Sequence, residues 1–190
     1  MIDFVFNYLV SELNDHFNVR SQTPDRAEAG SLFDLDGNLD PQKKNKVLAT
    51  LVNVAEERTY RSVETVEKRP DGTGEIVRPP LKVCLYVLFV ANFADYEEAM
   101  KALGQVMGFF HNRPSFHFAS IPGLTGSSGR MTFELHSMSF EQINHLWGAL
   151  GSKYMPSVLY KAGLVDVRDR QVEAERAPVT EIVTTAEAGS

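Results

Sequence analysis

The feature that most constrains the fold of this chain is a nearly continuous apolar run from Leu81 to Ala91. In an extended strand, alternate side chains point to opposite faces, and here both sets are apolar. A strand with two apolar faces is typical of the middle of a sheet that is covered on both sides. The run therefore predicts a central strand. One face would carry Val83, Leu85, Val87 and Phe89, and the other Cys84, Tyr86, Leu88 and Val90.

Three stretches have the apolar spacing of amphipathic helices. The first covers residues 2–17, and the second begins at the capping residues Asp95 and Glu98 and ends before a proline. The third begins with a capping box formed by Ser139 and Gln142, and Gly151 suits its C-terminal left-handed position. The predicted apolar stripes are Ile2, Val5, Phe6, Leu9, Leu13 and Phe17; Tyr96, Ala99, Met100, Leu103, Val106, Met107 and Phe110; and Phe140, Ile143, Leu146, Trp147 and Leu150.

Trp147, the single tryptophan, is the expected anchor of the third helix. We expect it to be buried against the second helix or the central strand. Further strands are predicted at Val47–Ala55, with its middle buried on both faces, and at three other places. Those three are Ser31–Leu35, Met131–Met138 and Val158–Val165. The stretch Arg20–Gly30 is predicted to be a polar loop.

This order of elements predicts an α+β fold: a single domain with a mixed or antiparallel sheet and helices packed mainly on one face. The domain is expected to span residues 1–169. Residues 56–80 alternate charges with turn residues and predict an exposed hairpin arm whose tip lies near Asp71-Gly72. Residues 170–190 are expected to form a flexible C-terminal tail. Its apolar residues Val179, Ile182 and Val183 suit an added strand at an open sheet edge.

Length and charge narrow the class of protein. The chain has 190 residues, enough for one sizeable domain, and a net charge of −6, which argues against phosphate-backbone binding as its main role. Cys84 lies in the apolar run and is expected to be a buried structural thiol. No apolar run reaches about 18 residues, and no Sec signal is recognised at the N-terminus. The simplest expectation is a cytoplasmic protein.

One acidic stretch imitates the start of a calcium-binding loop. Asp34, Asp36 and Asn38 have the right spacing, but Leu39 stands where glycine is required and Asn45 where a bidentate glutamate is required. A turn is therefore favoured over a calcium site.

The histidines do not form a recognisable metal-binding pattern. No two of them make an H-x-x-x-H pair, and Cys84 has no partner ligand. His136 and His145 flank the turn into the third helix, but surface or capping roles are favoured for them. The histidines are His16, His111, His117, His136 and His145. No metal or cofactor is expected.

A glycine-rich loop from Gly123 to Gly129 could suggest a phosphate cradle. A P-loop needs a lysine after its last glycine and a helix beyond it, whereas Arg130 leads here into a predicted strand. A flexible hairpin or a subunit-contact loop is the favoured interpretation.

Charged clusters are a further class of candidate site. Glu97 with Glu98, and Glu56 with Glu57 and Arg58, are interpreted as a helix cap and solvated faces, so no catalytic residue is predicted. The basic residues Lys43, Lys44 and Lys46 lack interleaved aromatic residues and make a weak case for nucleic acid. Contact of these lysines with an acidic protein partner is equally compatible with the sequence.

An ordered set of segments resembles one protein family. The segments are Lys46-Val47-Leu48, Leu51-Val52-Asn53-Val54, Glu56-Glu57, Leu85 to Phe93, Tyr96-Glu97-Glu98-Ala99, Ile143-Asn144-His145-Leu146-Trp147 and Leu150 to Lys161. Together they are similar to the tail terminator, or cap, proteins of extracellular contractile injection systems, which are phage-tail-like particles. The resemblance covers roughly Met1 to Asp169.

The resemblance implies a structural protein and not an enzyme. Such a protein would end the inner tube and anchor the sheath, as a hexameric ring that contacts the tube and sheath proteins and neither nucleic acid nor membrane. A head-to-tail ring suits that role, since each subunit offers two different faces. The protein would be cytoplasmic during assembly and then part of a particle released by lysis. The alternative is an adaptor or chaperone-like binding module that holds another tail protein with the 56–80 arm.

Overall fold

The structure is a computed structural model that describes residues 2–33, 37–38, 40–57, 65–68, 74–77, 81–125, 129–167 and 175–176. Its α-helices are α1 (Ile2–Ser21), α2 (Tyr96–Asn112) and α3 (Phe140–Ala149). Its strands are β1 (Ala27–Ala29), β2 (Lys46–Glu56), β3 (Thr65–Lys68), β4 (Gly74–Val77), β5 (Leu81–Asn92), β6 (Ser115–His117), β7 (Arg130–Leu135), β8 (Ser157–Val167) and β9 (Glu175–Arg176). Short 3₁₀ helices cover Pro41–Lys43 and Phe118–Ser120.

Six strands form one mixed sheet in the order β1-β2-β5-β8-β7-β6. β1 runs parallel to β2, whereas β2 with β5, β7 with β8 and β6 with β7 are antiparallel. The predicted central strand is confirmed, because β5 lies between β2 and β8. The α+β class with a mixed sheet is confirmed as well.

Two helices cover one face of this sheet. α1 contributes Val5, Leu9, Leu13 and Phe17 to a core that also holds four alternate residues of β5, namely Val83, Leu85, Val87 and Phe89. α2 lies beside α1 and adds an aromatic cluster in which the Phe110 ring is 4.4 Å from the Tyr160 ring, 4.8 Å from the Phe133 ring and 5.2 Å from the Phe89 ring.

The third helix covers the opposite face. Trp147 of α3 is 3% exposed and packs in a second cluster with Leu48, Leu88, Val90 and Leu159. The predicted burial of Trp147 is therefore confirmed, and the central strand β5 is among its neighbours. The capping box at Ser139 and Gln142 is present, as predicted. With α1 and α2 on one face and α3 on the other, the helices lie mainly on one face.

A second compact unit comprises residues 58–81 and 166–190. Within it, β3 and β4 form an antiparallel hairpin in which Thr65 pairs with Val77 and Lys68 with Gly74. β9 extends this small sheet, because Glu175 pairs with Glu75. The hairpin falls in the stretch for which the sequence predicts an arm. The expected tip at Asp71-Gly72 and the apolar tail residues 179–183 lie outside the described residues.

Three short strands, β1, β6 and β9, were missed by the sequence patterns. β1 lies in the predicted polar loop, and its backbone is held by the Asn14 side chain of α1, which accepts a hydrogen bond from the Ala27 N–H at 2.7 Å and donates one to the Ala27 carbonyl at 2.9 Å. β6 lies directly after Pro114. The predicted strand at Ser31–Leu35 is wrong for its described part, residues 31–33, where Phe33 makes only an isolated bridge.

The predicted helix stripes are partly wrong in α2 and α3. Ala102 and Phe109 of α2 are buried in place of Tyr96, Met100 and Met107. The reason is that α1 lies along that flank, with the His16 ring 5.4 Å from the Phe109 ring. Phe140 shares the stripe of Trp147 but is 92% exposed. It lies in the first turn of α3, where no other part of the described structure covers its ring.

The buried indole of Trp147 generates a stability prediction. Trp147→Ala removes a large aromatic side chain from the core and should lower the free energy of unfolding by about 3–5 kcal/mol, measured by urea denaturation. Phe140→Ala in the same helix is the matched control and should change it by less than about 0.5 kcal/mol. A cost below about 1 kcal/mol for Trp147→Ala would contradict the burial of this indole in the core.

Candidate interaction surfaces

Because the buried side of α2 is turned toward α1, a row of apolar and small residues lies on the solvent side of α2. Tyr96, Met100 and Met107 are 71%, 38% and 40% exposed. Gly104 and His111 are also exposed, and Gly108 is half-buried. At 3.6 residues per turn these positions share one side of the helix. We call this set the outer face of α2; its members are Tyr96, Met100, Gly104, Met107, Gly108 and His111.

An apolar groove continues this face onto the sheet. It has a volume of about 590 Å³ and opens between the C-terminal half of α2 and strands β7 and β8. Met107 and Leu135 line it, and Leu135 is 54% exposed. The rings of Phe110, Phe133 and Tyr160 form its floor. Exposed apolar side chains that cluster in this way are typical of protein-contact surfaces.

The far half of β2 forms a second candidate surface. β1 pairs only with Val47, Leu48 and Ala49, and the Thr50 hydroxyl closes this contact by donating to the Gly30 carbonyl at 2.7 Å. Beyond that point Leu51 and Val54 are exposed, and the pairing with β5 shifts by one residue at a bulge. The predicted burial of the middle of β2 is therefore wrong: the buried part is its first half. The outer half is a sheet edge among the described residues.

Arg26 lies at the centre of a polar cluster beside α2. Its guanidinium donates to the Glu98 carboxylate at 2.6 Å and lies over the Phe93 ring at 4.8 Å from the centroid. The Arg26 hydrogen bond holds the pKa of Glu98 below its ordinary value, with a smaller effect from Lys101. The predicted capping role of Asp95 is confirmed, because its side chain accepts hydrogen bonds from the Glu97 and Glu98 N–H groups. The predicted capping role of Glu98 is wrong, because its side chain binds Arg26.

The basic cluster is partly neutralised within the chain. Lys46 pairs with Glu28 at 2.5 Å, and Lys43 donates to the Ser31 carbonyl at 2.7 Å and lies 3.5 Å from Asp40. Lysines held in this way present less charge to an outside partner than the sequence suggests.

A further polar cluster lies on the α3 side of the sheet. Glu57 accepts a hydrogen bond from Lys161 at 3.3 Å and from the Cys84 thiol at 3.3 Å. The hydrogen bond to Glu57 raises the pKa of Lys161. Cys84 is 2% exposed, which confirms the expected buried thiol. Glu56 is exposed at the end of β2, and Arg58 lies outside the described residues.

The histidines are spread over the molecule. His16 packs on Phe109, and its burial lowers its pKa. His136 packs edge-on against Tyr86 at 5.3 Å, whereas His111, His117 and His145 are exposed. Within the part of the chain that the structure describes, no three histidine, cysteine or acidic side chains converge as a metal site.

The two loop motifs fall partly outside the described residues. Of the calcium-like stretch, Asp34, Asp36 and Leu39 lie outside, and Gly37 has a φ of +81°. The base of the glycine-rich loop packs on the domain: Ile121 and Leu124 are buried, and a Cβ on Gly123 would lie 2.8 Å from the Phe4 ring. Residues 126–128 of this loop lie outside. Over the described residues, no helix is long and apolar enough to cross a membrane.

Comparison with known proteins assigns a family to almost the whole chain. The family model described as the Pvc16 N-terminal domain matches residues 3–181. No curated protein matches the chain.

Two solved structures share the fold. One is the sheath/tube terminator of the extracellular contractile injection system PVC in its extended state, with 18% identity and a TM-score of 0.54 over 95% of this chain and 64% of that chain. The other is the anti-feeding prophage cap, described as a tube-terminating cap, with 16% identity and a TM-score of 0.55 over 94% of this chain and 60% of that chain. The chain therefore spans less than two thirds of either relative.

The Arg26–Glu98 pair generates a pH prediction. Because Arg26 lowers the pKa of Glu98 in the folded protein, the charged carboxylate stabilises the fold above the ordinary glutamate pKa of about 4.5. This contribution is lost as the pH falls through the lower folded pKa. Glu98→Gln should therefore be less stable than the wild type at neutral pH, and the difference should shrink between about pH 5 and pH 3.

Urea denaturation at a series of pH values measures this difference. Glu97→Gln is the matched control, since the Glu97 carboxylate is 78% exposed and pairs with Lys101 on the helix surface. It should change stability less than Glu98→Gln does. A wild-type advantage over Glu98→Gln that persists unchanged to about pH 3 would contradict the assignment.

Proposed function

Because the chain belongs to the Pvc16 N-terminal domain family, we propose that it is a structural terminator of a contractile, phage-tail-like injection system. In this role it ends the inner tube and anchors the sheath. The observation that carries the proposal is the family match over residues 3–181, to which two terminator proteins add a shared fold over 94–95% of the chain.

The proposed assembly is a hexameric ring that closes head to tail. Such a ring needs two different contact surfaces on each subunit. The two edges of the six-stranded sheet differ in this way: one is β2 beyond Thr50, with Leu51 and Val54 exposed, and the other is formed by β6 and β7. The tube and sheath proteins are the proposed partners of the ring.

A structural role also accounts for the charged residues that could have been catalytic. Glu98 is held by Arg26, Glu97 by Lys101 and Glu57 by Lys161, so these carboxylates contribute to folding contacts. The proposed location follows from the role: assembly in the cytoplasm, then release as part of the particle by lysis.

Deletion of the gene in a particle-producing strain tests the proposal. Without a terminator, polymerisation has no stop, so we expect tubes of irregular length or sheaths that contract early, seen by negative-stain electron microscopy. Secreted enzyme activities should be unchanged. Particles of normal length and stability would contradict the terminator role, and a one-to-one complex with another tail protein in place of a ring would favour an adaptor.

The tail gives a second test. Removing residues 170–190 should leave the unit of residues 1–57 and 82–165 folded and the ring intact, but weaken copurification with extended sheath. Removing only residues 177–190 keeps β9 and deletes the apolar residues Val179, Ile182 and Val183, so it should weaken copurification as much. If either truncated protein copurifies with extended sheath as well as the full-length protein does, the tail does not have this role. Unfolding of a truncated protein would show instead that the tail belongs to the fold.

A further inference from the structure

The outer face of α2 has the composition of a contact surface that the fold itself does not use. Four of the large apolar side chains exposed in the described residues lie on it or on the groove beside it: Tyr96, Met100, Met107 and Leu135. Their exposure is unfavourable for an isolated molecule in water. A partner that covers this face would remove them from solvent together.

The two glycines on this face indicate that a second helix covers it. Gly104 and Gly108 lie four residues apart on the same side of α2, and a Cβ at either would meet no atom within 4 Å. The described fold therefore gives no steric reason for glycine there, although glycine weakens a helix relative to alanine. Small residues on a helix surface allow the backbone of a second helix to approach closely.

Charge along the helix selects the orientation of that second helix. The first turn of α2 is acidic, with Glu97 on the border of the outer face, and its last turn carries His111. An identical helix laid antiparallel brings the acidic end of each against the His111 end of the other. The two helix dipoles are then also opposed, which is the favourable arrangement.

We infer that the outer face of α2 binds the same face of a second copy of this chain, antiparallel and across a twofold axis at Gly104. Each residue then lies opposite the one equally distant from Gly104 in the second copy. Met100 enters the space left by Gly108 of the second copy. Glu97 accepts a hydrogen bond from His111 of the second copy.

A twofold contact of this kind pairs two copies and then stops, because each surface is its own complement. It differs from the head-to-tail contact of a ring and does not depend on the proposed function. It covers the apolar face of the free protein before the protein joins a larger assembly. A helix of 17 residues is about 25 Å long, so one helix pair buries less than the roughly 800 Å² per partner of a standard interface. The dimer is therefore weak and depends on concentration.

Sedimentation of the isolated full chain tests whether such a dimer exists. Between about 1 μM and a few hundred μM, we expect a shift from monomer to dimer. Met100→Glu should raise the dissociation constant at least about tenfold. Phe140→Glu is the matched control, since it places the same charge at an exposed apolar position of α3, and it should leave the dissociation constant unchanged. A wild type that stays monomeric, or two variants that dimerise equally, would overturn the inference.

Cysteine cross-linking tests the twofold geometry. Gly104 lies on the proposed axis, so Gly104→Cys should form a covalent dimer under mild oxidation, because disulfides need Cα atoms within about 7 Å. Gly148→Cys is the control: it is a helical glycine of α3 with equally open surroundings, and it should remain monomeric. Native Cys84 is buried in both variants. Dimerisation of Gly104→Cys no faster than that of Gly148→Cys would overturn the inference, as expected if the face instead binds a tube or sheath protein.

Discussion

The burial of β5 on both of its faces is the constraint on which the domain depends. Leu85, Val87 and Phe89 on one side, and Leu88 and Val90 on the other, are all removed from water. A two-sided apolar strand needs two layers, and the chain supplies them as α1 with α2 on one side and α3 on the other. The helices therefore have different roles, because α1 and α2 share one face of the sheet whereas α3 covers the other through Trp147.

This arrangement explains which parts of the fold could be predicted from the sequence. The central strand and the capping box at Ser139 are encoded within a few neighbouring residues, so local pattern was sufficient. β1 and β6 are three residues long, and β1 depends on Asn14, which is distant in sequence. No local pattern reports such a contact.

The interaction surfaces could not be predicted for a related reason. A helical stripe shows that one side of α2 is apolar, but its apolar arc is wider than the sheet can cover. Which flank is buried is decided by α1, which packs on Phe109 through His16, whereas Met100 and Met107 stay exposed. Likewise, Phe140 fits the stripe of α3, but its burial depends on whether other structure reaches the first turn. Gly104 and Gly108 are a local sign of which side of α2 is exposed, but no local pattern indicates that Phe140 is exposed.

The proposed role, which is to end the tube of a contractile particle, is tested most directly by the position of the protein in that particle. Particles can be imaged by electron microscopy with a gold label on a C-terminal tag. For a terminator we expect label at one end of each extended particle, at the end of the inner tube, and a ring of subunits there in averaged images. Label distributed along the sheath, or absent from intact particles, would contradict it.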